Sequence, residues 1–122
     1  MTDEELMAAA LSWLGINVDT ASGPDVDAAT IVSPAVRSFV ESIPDLPTVT
    51  VTDPDTLEPV TRWADKVELG AVMLAARLVR RRNSPQGVAA FTEVGGAAYV
   101  SRMDPDVAQL LRLGAYAAPQ VG

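Results

Sequence analysis

The sequence contains no cysteine and no histidine among its 122 residues. The lack of cysteine excludes a disulfide framework, a thiolate zinc site and a cysteine nucleophile. The lack of histidine removes the commonest general base and metal ligand, and with them any Ser-His-Asp triad. Aromatic residues make up only 5% of the chain. We therefore expect a single domain with a thin core of small side chains, to which a partner surface can contribute burial.

The chain is acidic, with a net charge of −7, which disfavours general DNA binding. Residues 1–60 hold 11 acids and one base, whereas residues 61–122 hold 5 acids and 8 bases. This asymmetry lets one end of a subunit meet the opposite end of the next, or face a polyanion. The longest apolar run, residues 69–76, is far shorter than the roughly 18 residues that span a bilayer. We expect a soluble protein made in a cytoplasm, with no membrane partner.

Two helices are predicted at the start of the chain. Thr2 and Glu5 form a capping box ahead of the first helix, and Gly15 is placed to end it. Residues 24–43 carry a helical apolar stripe that a Ser-Pro pair at 33–34 interrupts. The pair predicts either a kinked helix or a second helix start capped by the serine.

The strongest predicted element is a long helix from about residue 59 to residue 82. Its apolar residues repeat at heptad-like spacing: Val60, Ala64, Val67, Ala71, Leu74 and Leu78. Between residues 69 and 79 only Arg77 is charged, so this helix must be buried on most sides. Two other helices in so short a chain offer little cover, which favours an oligomer.

A long loop is predicted between the second and third helices, because residues 44–59 hold four of the nine prolines. Within it, residues 48–52 (TVTVT) alternate and are β-branched, which predicts a short strand or an extended arm. Long loops in small domains are usually functional. An arm that reaches a neighbouring subunit is one interpretation.

The remainder of the chain is predicted to form a turn, a hairpin, a helix and a tail. Residues 83–87 form the turn, and residues 88–102 form a β-hairpin around Gly95-Gly96. Asp104 caps a final helix over residues 106–113, and residues 114–122 are an extended, flexible tail. The predicted fold is mainly α: a small helical bundle around one long central helix, with a short β-hairpin and an extended C-terminal tail, in one domain over residues 1–122.

Three Asp-x-Asp pairs are the candidate cation sites: Asp25 with Asp27, Asp53 with Asp55, and Asp104 with Asp106. Carboxylates at this spacing can bind Mg²⁺ or Ca²⁺. Each pair also lies beside a proline near a helix start or turn, where aspartate caps the helix and complements its dipole. We favour caps. With no cofactor motif and no histidine or cysteine, we expect no enzyme, no metal and no cofactor, although paired carboxylates can do acid–base work.

The clearest cationic feature of the sequence is the arginine triplet Arg80-Arg81-Arg82. It either complements the dipole at a helix C-terminus or offers guanidinium groups to a neighbour's carboxylates or to phosphates. Successive helical residues turn by about 100°, so the three side chains cannot all face one way. At least one is therefore expected to pair within the protein or across an interface.

Residues 68–88 (ELGAVMLAARLVRRRNSPQGV) and 101–111 (SRMDPDVAQLL) carry a family resemblance. The chain resembles the head-to-tail connector proteins, also called adaptor or head-completion proteins, of long-tailed double-stranded DNA phages. The shared pattern is an acidic first helix, a second helix, and a long alanine-rich helix ending in arginines and an Asn-Ser-Pro-x-Gly turn. A strand or hairpin and a short Asp-Pro-Asp helix complete it.

The resemblance implies an adaptor subunit of the virion neck, assembled in the host cytoplasm. Copies are expected to form a twelve-fold ring under the portal protein, extend the DNA channel without binding DNA specifically, and receive the next neck protein or the tail terminator. The tail after Gly114 would contact the portal. The candidate interface residues are Arg80, Arg81, Arg82, Asn83, Trp63, Leu69, Met73, Tyr116, Pro119 and Val121.

Two other functions are compatible with the residues. A small DNA-binding regulatory protein would read duplex DNA with the arginine-ended helix, and its binding would depend strongly on salt. A carboxylate-based or metal-dependent enzyme would retain a bound metal. The acidic balance weighs against the regulator, and the missing motifs weigh against the enzyme.

Overall fold

The computed structural model describes residues 1–20 and 22–117, and in them the chain is mainly helical, as predicted, with one antiparallel hairpin at residues 48–63. The elements are α1 (Asp3–Trp13), α2 (Pro24–Glu41), β1 (Thr48–Thr52), β2 (Pro59–Trp63), α3 (Asp65–Arg80), α4 (Val88–Val94), α5 (Gly96–Met103) and α6 (Pro105–Leu110), followed by a 3₁₀ turn, Gly114–Tyr116. Helices α1, α2 and α6 pack against α3. None of the described helices is long and apolar enough to cross a membrane.

Helix α1 begins and ends as its sequence predicts. The Thr2 hydroxyl accepts a hydrogen bond from the Glu5 backbone N–H at 3.1 Å, and the Glu5 carboxylate accepts one from the Thr2 backbone N–H at 3.0 Å. This reciprocal pair is the capping box. At the other end the Ile16 N–H donates to the Leu11 carbonyl, and Gly15 adopts a φ of 77°. Gly15 therefore closes a Schellman motif, which glycine forms without steric cost.

Helix α2 runs unbroken through Pro34, so the predicted second start is wrong. Ser33 lies buried inside the helix and caps nothing. The missing proline N–H removes one hydrogen bond of the helix ladder. Burial of the valines at 32, 36 and 40 on the α3 side offsets this loss.

Helix α3 starts at Asp65, six residues later than predicted, because residues 59–63 pair with β1. The predicted seam holds from Val67 to Leu78, all of it buried. The other packed faces of α3 are also covered by this chain, and among its large apolar side chains Leu69 stands out at 40% exposure. The prediction that α3 needs a second subunit for its burial is therefore wrong.

Residues 88–103 form α4 and α5, and the predicted β-hairpin is wrong. Gly95 joins the two helices with a φ of 96°, which glycine tolerates. A Cβ on Gly96 would lie 2.3 Å from Cδ1 of Phe39 on α2, so this glycine admits a close helix contact. The Phe91 ring meets Phe39 and Tyr99 edge-on, with centroids 5.4 and 5.6 Å apart. The Gly-Gly pair therefore serves helix packing.

The end of the chain is more ordered than the predicted tail. Helix α6 ends at Leu110, shorter than predicted, and Gly114–Tyr116 forms a 3₁₀ turn where a flexible segment was expected. Residues 118–122, with Pro119 and Val121, lie outside the described residues.

We predict that Gly96→Ala lowers the free energy of unfolding by about 1–3 kcal/mol, because the added methyl overlaps the Phe39 ring. Urea unfolding followed by circular dichroism measures the loss. The double variant Gly96→Ala/Phe39→Leu should be more stable than the sum of its two single changes predicts. Additive losses would contradict the proposed contact.

Candidate functional site

The arginines of α3 divide into two sets, one turned into the protein and one left at its surface. Arg81 belongs to the first: its Nη1 and Nη2 donate to Oδ2 and Oδ1 of Asp104, both at 2.7 Å. Nη1 also donates to the Tyr99 hydroxyl at 3.1 Å, and that hydroxyl donates to the Gln86 carbonyl. These bonds, with Asp104 first, raise the pKa of Arg81 above its usual value. Arg81 therefore has a structural role, since its side chain binds Asp104 and Tyr99 of the same chain.

Arg77, one helical turn earlier, completes the network of hydrogen bonds around Asp104. It donates to Asp104 Oδ1 at 2.9 Å and forms a bidentate salt bridge with the Asp106 carboxylate, with N–O distances of 2.7 and 2.5 Å. The hydrogen bond from Arg77 lowers the pKa of Asp106 to about 2. The same bond raises the pKa of Arg77 above its usual value.

Asp104 is the buried charge at the centre of the network, with 2% of its surface exposed. It occupies the N-cap position of α6, as predicted, but its side chain makes no capping hydrogen bond, and both of its oxygens accept from arginines instead. The i, i+4 spacing of Arg77 and Arg81 puts both guanidinium groups on one face of α3, where one carboxylate can accept from both. That spacing, together with the Asp-x-Asp pair that was interpreted as a helix cap, was the sequence signal for this site.

Arg80 and Arg82 remain at the surface, at the C-terminal end of α3. Arg82 donates to Asp25 of α2 at 2.9 Å, whereas Arg80 is exposed and makes no ion pair within residues 1–20 and 22–117. Together with Asn83 and Asp25 they line an open cleft whose apolar wall is formed by Leu14 and Ile16, just after α1. We call this the arginine cleft: Leu14, Ile16, Asp25, Val79, Arg80, Arg82 and Asn83.

The β1–β2 hairpin projects from the helical body as an arm. Strand β2 contacts α3, its last residue Trp63 is buried in the core, and residues 54–62 are all exposed. Paired residues of antiparallel strands share a face, and Val49 pairs with Arg62 and Val51 with Val60. One face of the arm therefore carries three valines and Arg62, and the other carries threonines with Pro59 and Trp63. The sequence prediction of a strand at residues 48–52 is confirmed.

Two of the candidate interface residues, Trp63 and Met73, are less exposed than a contact with another subunit requires. Trp63, the last residue of β2, is buried in the core, and Met73 is half-buried against it. Leu69 instead lies beside Trp13 in an open groove between α1 and α3, where Trp13 is 56% exposed. The structure thus brings Leu69 together with a tryptophan of α1 and separates it from the arginine cleft. Tyr116 is exposed elsewhere, in the 3₁₀ turn.

In the other two Asp-x-Asp pairs, Asp25 joins α2 to the residues that follow α3, and Asp53 closes a local turn. Asp25 pairs with Arg82, and Asp53 Oδ1 accepts from the backbone N–H of Asp55 at 2.8 Å and of Thr56 at 3.3 Å. In the described part of the chain no group of three or more acidic side chains is placed to hold a metal ion.

No protein-family model matches this chain, and comparison with curated proteins and with solved structures also found no match. The resemblance carried by residues 68–88 and 101–111 therefore stays a prediction.

We predict that Asp104→Ala lowers the free energy of unfolding by roughly 3–5 kcal/mol, because two partly buried guanidinium groups lose their shared counter-charge. Chemical denaturation measures the change. Glu93→Ala, at an exposed acid of α4, is the matched control and should change stability by under about 0.5 kcal/mol. Equal losses in both variants would contradict the role assigned to Asp104.

The Asp106 pair predicts a pH dependence. Its folded pKa of about 2 is below the ordinary 3.8, so the pair stabilises the protein above pH 3.8 and is lost as pH falls through about 2. Because Asp106 is half exposed, we expect Asp106→Asn to cost under about 1 kcal/mol at neutral pH. The difference in unfolding free energy between the wild type and Asp106→Asn should disappear as the pH falls from 3.8 to 2. A difference that does not change with pH would contradict this assignment.

Proposed function

We propose that the protein is a structural adaptor subunit of a phage head-to-tail connector. Copies form a ring, expected to be twelve-fold, under the portal protein. The ring extends the DNA channel and receives the next neck protein or tail terminator. The subunit acts by contact alone and carries out no catalysis.

The projecting hairpin is the observation that carries this proposal. An isolated two-stranded hairpin is marginally stable in water and gains stability when a face packs against another surface. Here the valines at 49, 51 and 60 share one face, and the described chain does not bury them. A helical body that covers its own core but extends an uncovered arm is suited to bridging neighbouring subunits.

The resemblance supports the same function over part of the chain. The long α3 ends in arginines and an Asn-Ser-Pro-Gln-Gly turn, and α6 follows an Asp-Pro-Asp start. Between them the chain departs from the pattern, because α4 and α5 stand where a strand or hairpin is expected. The support therefore comes from α3, the turn and α6.

The charge distribution favours a channel wall over a DNA-binding regulator. Arg37, Arg77, Arg81 and Arg82 form ion pairs with carboxylates of the same chain, and the net charge is −7. An acidic ring lets DNA slide past without gripping it. The regulator is the alternative, and duplex binding with a steep salt dependence would support it.

We predict that the triple variant Val49→Thr/Val51→Thr/Val60→Thr loses ring assembly on the portal while its thermal unfolding changes little. Threonine keeps the strand propensity and the side-chain shape but removes the apolar contact. Native mass spectrometry and negative-stain imaging of the protein with the portal from its own genome measure assembly. Ile31→Thr, at an exposed apolar residue of α2, is the control and should assemble normally.

A wild-type protein that remains monomeric at high concentration and with that portal would overturn the proposed function.

A further inference from the structure

The tip of the hairpin arm, residues 53–58, combines an exposed apolar side chain with like charges. Leu57 is 77% exposed and has a φ of 59°, a left-handed conformation that is rare for leucine. Asp53, Asp55 and Glu58 lie within four residues of it along the chain, and the tip contains no base. The Asp53 side chain ties the turn together through the N–H groups of residues 55 and 56. The tip therefore presents Leu57 in a defined, strained position, as residues at contact sites often are.

The arginine cleft has the complementary chemistry. Its apolar wall offers the half-buried Leu14 and Ile16 to an apolar side chain, and the exposed Arg80 lines the cleft beside the Asp25–Arg82 ion pair. Arg80 makes no ion pair in the described part of the chain. An apolar side chain flanked by carboxylates matches an apolar wall flanked by an unpaired guanidinium group.

The two features lie at opposite ends of α3 in one molecule. The hairpin joins the body just before Asp65, the first residue of α3, and Arg80 is its last residue, about 24 Å along a 16-residue helix. The arm does not lie along α3, since residues 54–62 are all exposed. The match is therefore between copies, with the tip of one chain facing the cleft of another.

We propose that the hairpin tip of each subunit docks in the arginine cleft of a second copy, with Leu57 against the apolar wall and its flanking carboxylates on Arg80. This inference rests on the proposed function, whose ring it supplies with a subunit contact. The contact joins two different surfaces, and such contacts generate rings when their rotation closes.

Charge reversal tests the contact. Arg80→Glu alone, and Asp55→Lys/Glu58→Lys alone, each place like charges across the interface and should weaken assembly roughly tenfold. The combined variant Asp55→Lys/Glu58→Lys/Arg80→Glu restores opposite charges and should recover assembly. Sedimentation velocity at low salt, with and without the portal, measures it. A combined variant no better than its parents overturns the inference.

Cysteine cross-linking tests the geometry in a chain that has no cysteine of its own. Leu57→Cys combined with Asn83→Cys should give a ladder of disulfide-linked multimers on mild oxidation. Leu57→Cys combined with Glu93→Cys, at an exposed residue of α4, is the control and should give none above dimer. Equal ladders, no ladder, or a closed monomer from the first pair would each overturn the docking.

The outcomes separate this inference from the proposed function. Rings that assemble equally well from wild type and every charge variant overturn the docking and leave the adaptor in place. Monomers from wild type with the portal overturn the adaptor itself. Normal rings from Arg80→Glu, together with lost affinity for a mixed-sequence DNA duplex, would make the cleft a DNA contact and also overturn the docking.

Discussion

The carboxylate of Asp104 is buried between Arg77 and Arg81, and it joins the start of α6 to the C-terminal end of α3. Arg81 binds both of its oxygens, and Arg77 binds one while also holding Asp106. A buried charge with one missing partner is costly, so these groups hold together as a unit. Because successive helical residues turn by about 100°, holding Arg81 inward turns Arg80 to solvent. The network therefore also decides which arginine is free for a partner.

The core is built from small side chains, and this explains how three helices cover α3. Alanine, valine and glycine on α3 allow its neighbours to approach closely: a Cβ on Gly70 would lie 2.9 Å from Leu111. When neighbouring helices pack this closely, few surrounding residues are enough to shield a helix from solvent. The apolar surface left uncovered thus lies on the hairpin instead of along α3, because three valines of the hairpin share a face that the described chain does not bury.

The division between a self-sufficient body and an uncovered arm gives the proposed assembly a physical basis. The acidic tip belongs to the first half of the chain and the arginine cleft mainly to the second, which is the charge asymmetry visible in the sequence. Opposite surfaces at the two ends of one helix favour head-to-tail contact over two-fold pairing. Such contact also leaves the groove beside Trp13 and Leu69 uncovered.

Local signals in the sequence determined the capping box at Thr2, the stop at Gly15, the strand at 48–52 and the buried seam of α3. Each depends on residues within a few positions, so periodicity and cap chemistry suffice to predict it. Tertiary structure alone decided the rest. Residues 59–63 carry a helical apolar repeat but pair with β1, and the Gly-Gly pair packs on Phe39, a residue far away in sequence. Asp104 meets arginines 23 and 27 residues away, and only the folded chain brings their charges together.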